Sequence, residues 1–185
     1  MRGILLDRDG VINRELSNYV VCWDQFEFLP GAFLALGHLA RLNWPVVVVT
    51  NQSAIGRGLV TPHTLSHIHQ RMMAAVAAVG GRIDAVFVCP HHPDDGCACR
   101  KPRPGLLWQA AQVFNLRLPD CYLVGDALGD FLAARAAGCR PILVQSCLQG
   151  PNLPGLLRDE PDVLILPDLA SAAHAILAGL ERDLT

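Results

Sequence analysis

The chain has 185 residues, 51% of them hydrophobic, and a formal net charge of −2. That length suffices for one domain with a sizeable core. No apolar stretch approaches the roughly 20 residues of a membrane span, and no clustered basic face speaks for nucleic acid.

Gly3–Leu6 is a short apolar run and reads as a strand buried on both faces. Met1 leads into it with no secretory pattern, so no signal peptide is expected. Asp7-Arg8-Asp9-Gly10 follows directly. In an extended or turning segment, residues i and i+2 point to the same side, so Asp7 and Asp9 are expected to share a site. Two carboxylates suit Mg²⁺, which takes a few hard oxygen ligands and keeps several waters. One Asp can attack phosphorus to give an aspartyl-phosphate, and the second can move the proton. Taken alone, the tetrapeptide is equally a surface turn.

Trp23, Phe26 and Phe28 precede Pro30-Gly31 and read chiefly as core packing. Gly31–Asn43 carries Phe33, Leu36, Leu39, Ala40 and Leu42 at roughly helical spacing. Val46–Val49 is the second strand. Thr50 and Asn51 at its end can present a hydroxyl and backbone N–H groups to phosphate oxygens; a helix cap is the plainer alternative. Gln52–Gly58 is a polar, glycine-bearing loop with Ser53 and Arg57, suited to lining an anion site. Thr61-Pro62 is a good N-cap and N1 pair. The helix it opens places Leu65, Ile68, Met72, Val76 and Val79 on one stripe. Its histidines, His63, His67 and His69, read as surface or packing residues.

The strand Ala85–Val88 leads into the cysteines. Seven cysteines, an odd number with three inside eleven residues, suit reduced thiols with one metal site in a cytoplasmic protein better than a secreted disulfide framework. Cys89 and His91 stand at i, i+2, and Cys97 and Cys99 repeat that spacing. Four N/S ligands in two short pairs suit a closed, structural, tetrahedral Zn²⁺ site, and a loop poor in apolar residues gains order from such a metal. His92 is the rival imidazole; His91 makes the pairs symmetric. Cys22, Cys121, Cys139 and Cys147 read as small packing residues. Next comes Arg100-Lys101. Lys101 can neutralise charge on a phosphoryl group, and Arg100 can hold a second anionic or hydroxyl group. By itself the pair is more simply a solvated basic dipeptide.

Pro104 opens a helix to about Asn115. The strand Tyr122–Val124 ends at Gly125-Asp126, where Asp126 offers Mg²⁺ a third oxygen. Leu128–Ala137 is a helix closed by Gly138. Asp130 in its first turn either favours the helix N-terminus or acts at the site. Ile142–Val144 and Val163–Leu166 are the last strands, and Asp168 caps a final helix ending near Gly179. Strand and helix alternating in this way define an α/β protein with a parallel sheet and helices on both faces. Ligands of such sheets sit beyond the carboxyl ends of the strands, where Asp7, Asp9, Thr50, Cys89 and Asp126 fall.

In order along the chain, Asp7-Arg8-Asp9-Gly10-Val11-Ile12-Asn13, Thr50-Asn51-Gln52-Ser53, Lys101, and Gly125-Asp126 with Asp130 resemble the motifs of the haloacid dehalogenase-like phosphohydrolases. Each motif alone is weak, whereas the four in order span most of the chain. The resemblance implies a three-layer Rossmann-like fold and Mg²⁺-dependent phosphomonoester hydrolysis through an aspartyl-phosphate. It implies Asp7 as nucleophile and Asp9 as general acid/base. Asp7, Asp9 through its backbone carbonyl, and Asp126 would hold Mg²⁺; Thr50 and Lys101 would bind the phosphoryl group.

The segment from Cys89 through His91 to Cys97, Cys99 and Lys101 is similar to the zinc loop of the histidinol-phosphatase and heptose-bisphosphate phosphatase subfamily, which also favours His91. Ser53-Ala54-Ile55-Gly56-Arg57-Gly58 is closer to the heptose branch. This implies a small sugar-phosphate substrate met by Asn51, Ser53, Arg57 and Arg100. Histidinol phosphate is the alternative substrate, and a non-catalytic zinc-loop scaffold the alternative class. The subfamily lacks a cap domain, so a monomeric single domain over 1–185, with a zinc loop over 89–101, is expected. Two departures bear on substrate contacts: Ala127 where a basic residue often stands, and Gln145-Ser146-Cys147 in place of Arg-Thr-Gly.

Overall fold

Ile4, Leu5 and Leu6, like Val46 to Val49, are wholly shielded from solvent, so these runs form strands with no face left for water. The computed structural model describes residues 1–145 and 163–183; Ser146 and Cys147 lie outside the described residues. The strands are β1 (Ile4–Leu6), β2 (Val46–Asn51), β3 (Ala85–Cys89), β4 (Tyr122–Gly125), β5 (Arg140–Val144) and β6 (Leu164–Leu166). The helices are α1 (Ala32–Ala40), α2 (Pro62–Ala78), α3 (Gly105–Phe114), α4 (Leu128–Ala137) and α5 (Leu169–Asp183).

The six strands form one sheet in the order β3-β2-β1-β4-β5-β6, with every pairing parallel. Leu5 of β1 is in register with Val47 of β2 and with Leu123 of β4. Side chains alternate across the pleat. Ile4, Leu6, Val46 and Val48 pack with Leu36, Ile68, Met72 and Ile176 from α1, α2 and α5. Leu5, Val47, Val49 and Leu123 pack with Leu106, Ala110, Ala133 and Ala134 from α3 and α4. The result is the three-layer sandwich expected from the alternation of elements.

Local chemistry fixes the ends of the elements. Thr61 Oγ1 accepts from Thr64 N–H at 3.0 Å ahead of Pro62. Asp168 Oδ1 accepts from Ser171 N–H at 2.8 Å before α5, which continues past Gly179 to Asp183. Helix α1 stops at Ala40 instead of running to Asn43. The Arg82 guanidinium takes the Leu42 and Trp44 carbonyls at 2.9 and 2.7 Å, turning the chain toward β2. Strand β2 runs on through Thr50 and Asn51, which pair with Val88 and Cys89. Trp23 stacks on Phe26 with centroids 5.1 Å apart, and Phe26 and Phe28 meet edge-on at 5.0 Å; this cluster packs on the core. Among the described residues no helix is long and apolar enough to cross a membrane.

The chain lays strands outward from β1 to β3, then returns to the other side of β1 with β4. That reversal opens a crevice beyond the carboxyl ends of β1 and β4.

Candidate active site

Asp7 leaves β1 with its N–H bonded to Val124 O at 2.9 Å, so the ends of β1 and β4 are tied together. Carboxylate oxygens of Asp7, Asp126 and Asp130 all lie within 4.8 Å of one another. Lys101 Nζ, buried, donates to Asp7 Oδ1 at 2.9 Å and to Asp130 Oδ1 at 2.5 Å. The other Asp130 oxygen accepts from Ala127 N–H at 3.2 Å and so caps α4. Two glycines let the carboxylates approach. A Cβ on Gly10, whose φ is +78°, would stand 1.9 Å from Asp126 Oδ2, and one on Gly125 would stand 2.2 Å from Asp130 Cβ.

Three carboxylates facing one ammonium leave the crevice short of positive charge. Burial raises Asp7 to about 7, with Asp130 and Asp9 adding to it against the pull of Lys101. Burial, then Asp7 and Asp130, raises Asp126 to about 8. Burial works against the Lys101 charge, but Asp130 and Asp7 outweigh it and hold the ammonium above its usual range. A divalent cation would relieve this repulsion, and an all-oxygen donor set suits Mg²⁺. Asp7 and Asp126, the two carboxylates not capping a helix, are the side chains that fit it.

The Asp9 carboxylate stands outside this group, contrary to the expectation that Asp7 and Asp9 present their side chains together. The cause is the turn at Gly10, closed by Gly10 N–H to Asn13 O at 2.7 Å and Ile12 N–H to Arg8 O at 2.8 Å. Asp9 faces the buried Arg8, whose Nη2 donates to both carboxylate oxygens at 2.8 and 2.9 Å. Asn13 Nδ2 donates to it at 2.9 Å and Gln52 Nε2 at 2.7 Å. Burial opposes its charge, but Arg8 and these hydrogen bonds hold Asp9 below the usual carboxylate range.

Thr50 is buried at the end of β2, and its Oγ1 accepts from Gln52 Nε2 at 2.9 Å. Asn51 differs from its expected substrate-facing part. Its Nδ2 donates to Lys101 O, and its Oδ1 accepts from Lys101 N–H, both at 3.1 Å. Asn51 thus fixes the backbone of the residue that carries the buried ammonium. Ser53 Oγ donates to Tyr19 Oη at 3.4 Å, and the Arg57 guanidinium lies 6.0 Å from the Tyr19 ring centroid. Hydrogen bonding from Ser53, with the charges of Arg57 and Arg100, lowers the Tyr19 hydroxyl against burial. Arg100 Nη1 is buried with no hydrogen-bond partner among the described residues. The sequence reading passed over Tyr19; its φ of +63° at a non-glycine residue is a constraint invisible in composition.

Beside this site, Cys89, His91, Cys97 and Cys99 converge. The Sγ and Nδ1 atoms are separated by 3.5 Å for Cys89–His91 and Cys89–Cys97, 3.3 Å for Cys99–His91 and 3.6 Å for Cys99–Cys97. A tetrahedral Zn²⁺ with thiolate bonds of about 2.3 Å needs edges of roughly 3.6–3.8 Å, so the donor set fits zinc. The thiols share charge unevenly. Burial opposes ionisation of Cys97, yet backbone N–H groups and the other thiols lower it to about 7, while burial and the other two thiols push Cys99 up to about 12. His92 is otherwise engaged: its N–H donates to Asp95 Oδ2 at 2.8 Å and its Nδ1 accepts from Asp94 N–H at 3.4 Å. Arg103 Nη1 donates to the Cys97 carbonyl at 2.6 Å and to that of Gly96. Gln52 N–H bonds to Cys89 O at 2.8 Å and Gly56 N–H to Pro90 O at 2.9 Å, joining the cysteine loop to the Gln52–Gly58 loop.

A parallel sheet with acidic residues and a buried lysine at its switch point is the framework of an α/β phosphate-handling enzyme. A family model described as HAD-hydrolase-like matches residues 98–172. The chain is 41% identical over 175 residues to D-glycero-β-D-manno-heptose-1,7-bisphosphate 7-phosphatase of Pseudomonas aeruginosa, covering 94% of this chain and 97% of that protein. It is 47% identical over 146 residues to the Bordetella bronchiseptica protein of the same name, covering 79% and 82%. The fold superposes with a TM-score of 0.87 on a crystal structure of D,D-heptose 1,7-bisphosphate phosphatase from B. bronchiseptica complexed with magnesium and phosphate, at 41% identity and covering 97% and 99% of the two chains. This chain belongs to the haloacid dehalogenase-like phosphatases.

Proposed function

We propose that this phosphatase removes the 7-phosphate of D-glycero-β-D-manno-heptose 1,7-bisphosphate, through an aspartyl-phosphate on Asp7, as a cytoplasmic single-domain monomer without a cap. The carrying observation is the group of half-buried Asp7 with buried Lys101, Asp126 and Asp130 at the switch point, in a chain whose relatives named for that substrate match it over most of its length.

Asp7 and Asp126, with the Asp9 backbone carbonyl, would hold Mg²⁺, whose positive charge would let a phosphate dianion sit against ionised carboxylates. Asp7 attacks phosphorus in line, with Lys101 and Thr50 meeting the phosphoryl oxygens. Asp9 donates a proton to the departing sugar oxygen, then takes one from the water that cleaves the aspartyl-phosphate. A phosphate dianion arriving beside Asp9 raises its affinity for that proton and offsets the hold of Arg8. Ser53, Arg57 and Arg100, with Tyr19, meet the remote part of the substrate, where the unpartnered Arg100 nitrogen favours a second anion. Cys89, His91, Cys97 and Cys99 would hold a structural Zn²⁺, which would fix the segment that delivers Arg100 and Lys101.

The test is phosphate release with and without Mg²⁺ from both anomers of the heptose bisphosphate, histidinol phosphate and p-nitrophenyl phosphate. Preference for the β anomer supports the proposal. Preference for histidinol phosphate overturns the substrate and keeps the mechanism, and no release from any ester overturns both.

A further inference from the structure

Arg8 is wholly buried, and its side chain has two polar partners of opposite character. Nε and Nη2 grip Asp9, at 3.3 Å for Nε and at 2.8 and 2.9 Å for Nη2. Nη1 lies 3.0 Å from Nε2 of His69, which sits on α2, 61 residues away, and is itself buried. A guanidinium has only N–H donors. The His69 Nε2 must therefore be the acceptor, which makes this imidazole neutral with its proton on Nδ1. Burial and the adjacent Arg8 charge act the same way, pushing His69 down to about 3. The Phe26 ring, 5.9 Å from the guanidinium carbon, covers Arg8.

Arg8 could satisfy its donors in other rotamers if Asp9 were its only anchor, because Asp9 has to release its proton and its grip during turnover. A neutral acceptor fixed to the core does not change charge when Asp9 does. It keeps the guanidinium edge aimed at the place where Asp9 returns. We propose that His69 is a positioning residue for the acid–base carboxylate: it anchors Arg8 through Nη1, so that Arg8 presents Nε and Nη2 to Asp9 throughout the catalytic cycle. This rests on the reading of Asp9 as general acid/base.

The experiment compares His69→Met with His69→Gln. The two side chains are near-equal in length, but only the carboxamide oxygen can accept from Arg8. kcat/KM is measured with the heptose bisphosphate, whose alkoxide leaving group needs a proton, and with p-nitrophenyl phosphate, whose leaving group needs little help. His69→Met should lower kcat/KM for the sugar ester by about tenfold or more, and for the aryl ester by less than about threefold, while His69→Gln restores the sugar ester to within about threefold of the parent. His69→Ala serves the same contrast if His69→Met does not fold. Asp9→Asn, run in parallel, should show the same asymmetry more strongly. If Asp9→Asn is asymmetric but the His69 variants lose both esters equally, or lose neither, the proposal is overturned alone. If Asp9→Asn shows no asymmetry, the acid–base reading is overturned, and this proposal with it.

Discussion

At Asp7, burial and two neighbouring carboxylates work against the charge that a nucleophile must carry. Asp7→Asn removes both the nucleophile and the repulsion. Turnover should fall by at least about a thousandfold, while the melting temperature in Mg²⁺-free buffer stays level or rises; retention of activity would remove Asp7 from the mechanism. Asn51 lends itself to a finer cut, because its amide both donates to and accepts from the Lys101 backbone. Asn51→Asp keeps the acceptor, loses the donor and sets a carboxylate against the Lys101 carbonyl. A loss in kcat of about tenfold or more is expected, with circular dichroism unchanged. An unchanged kcat would show that Lys101 is placed without that clamp.

At the level of elements, the strand ends were readable because apolar runs stop abruptly at Asp7, Thr50, Cys89 and Asp126. The buried sheet demands such runs, and a carboxylate or hydroxyl there has nowhere to go but the crevice. The direction of a side chain after the strand was not readable. Asp9 sets its carboxylate against Arg8, Asn13 and Gln52 and outside the Asp7–Asp126–Asp130 group because a hydrogen-bonded turn at Gly10 intervenes, and simple i, i+2 alternation assumes continued extension. The pairing of Arg8 with His69, which reads from the sequence only as a surface or packing histidine, was not legible because it joins residues 61 apart, which no local pattern encodes. Of the two candidate imidazoles, the symmetric spacing already favours His91, and tertiary placement agrees: His91 reaches the thiols, whereas His92 is spent on its own turn. The cysteine loop predicts its own experiment. Cys97→Ser should abolish bound zinc in a metal assay and lower the melting temperature by on the order of 5 °C or more. kcat should fall with it, since Lys101 follows two residues after Cys99. Full stability and activity without zinc would remove any structural part for the metal.

For the molecule as a whole, the raised carboxylates link folding to pH. Asp126 moves from 3.8 to about 8 on folding, and Asp7 from 3.8 to about 7. Between pH 4 and 8 these two carboxylates therefore bind more protons in the folded chain than in the unfolded one, so their contribution to stability falls as pH rises through that window, whereas His69, pushed down to about 3, opposes them only below about pH 6.5. With zinc loaded but Mg²⁺ withheld, the melting temperature should drop between pH 6 and 8. Added Mg²⁺ should raise it more at pH 8 than at pH 6, because the cation competes with those protons. Equal Mg²⁺ shifts at the two pH values would contradict the carboxylate cluster as the binding site.

The short segment from Cys97 to Lys101 also sets where this chain tolerates changes in length. Between His91 and Cys97 lies a solvent-exposed turn at Pro93–Asp95 with no buried side chain, so residues added or removed there only reshape a protruding bend. From Cys99 to Lys101 there is one intervening residue, with the thiol set against His91 and Cys97 and the lysine backbone clasped by Asn51. A single inserted residue in that stretch has no slack to absorb it and would carry the ammonium out of reach of Asp7. Insertion–deletion variation among descendants of this chain should accumulate at the bend and spare the stretch between thiol and lysine.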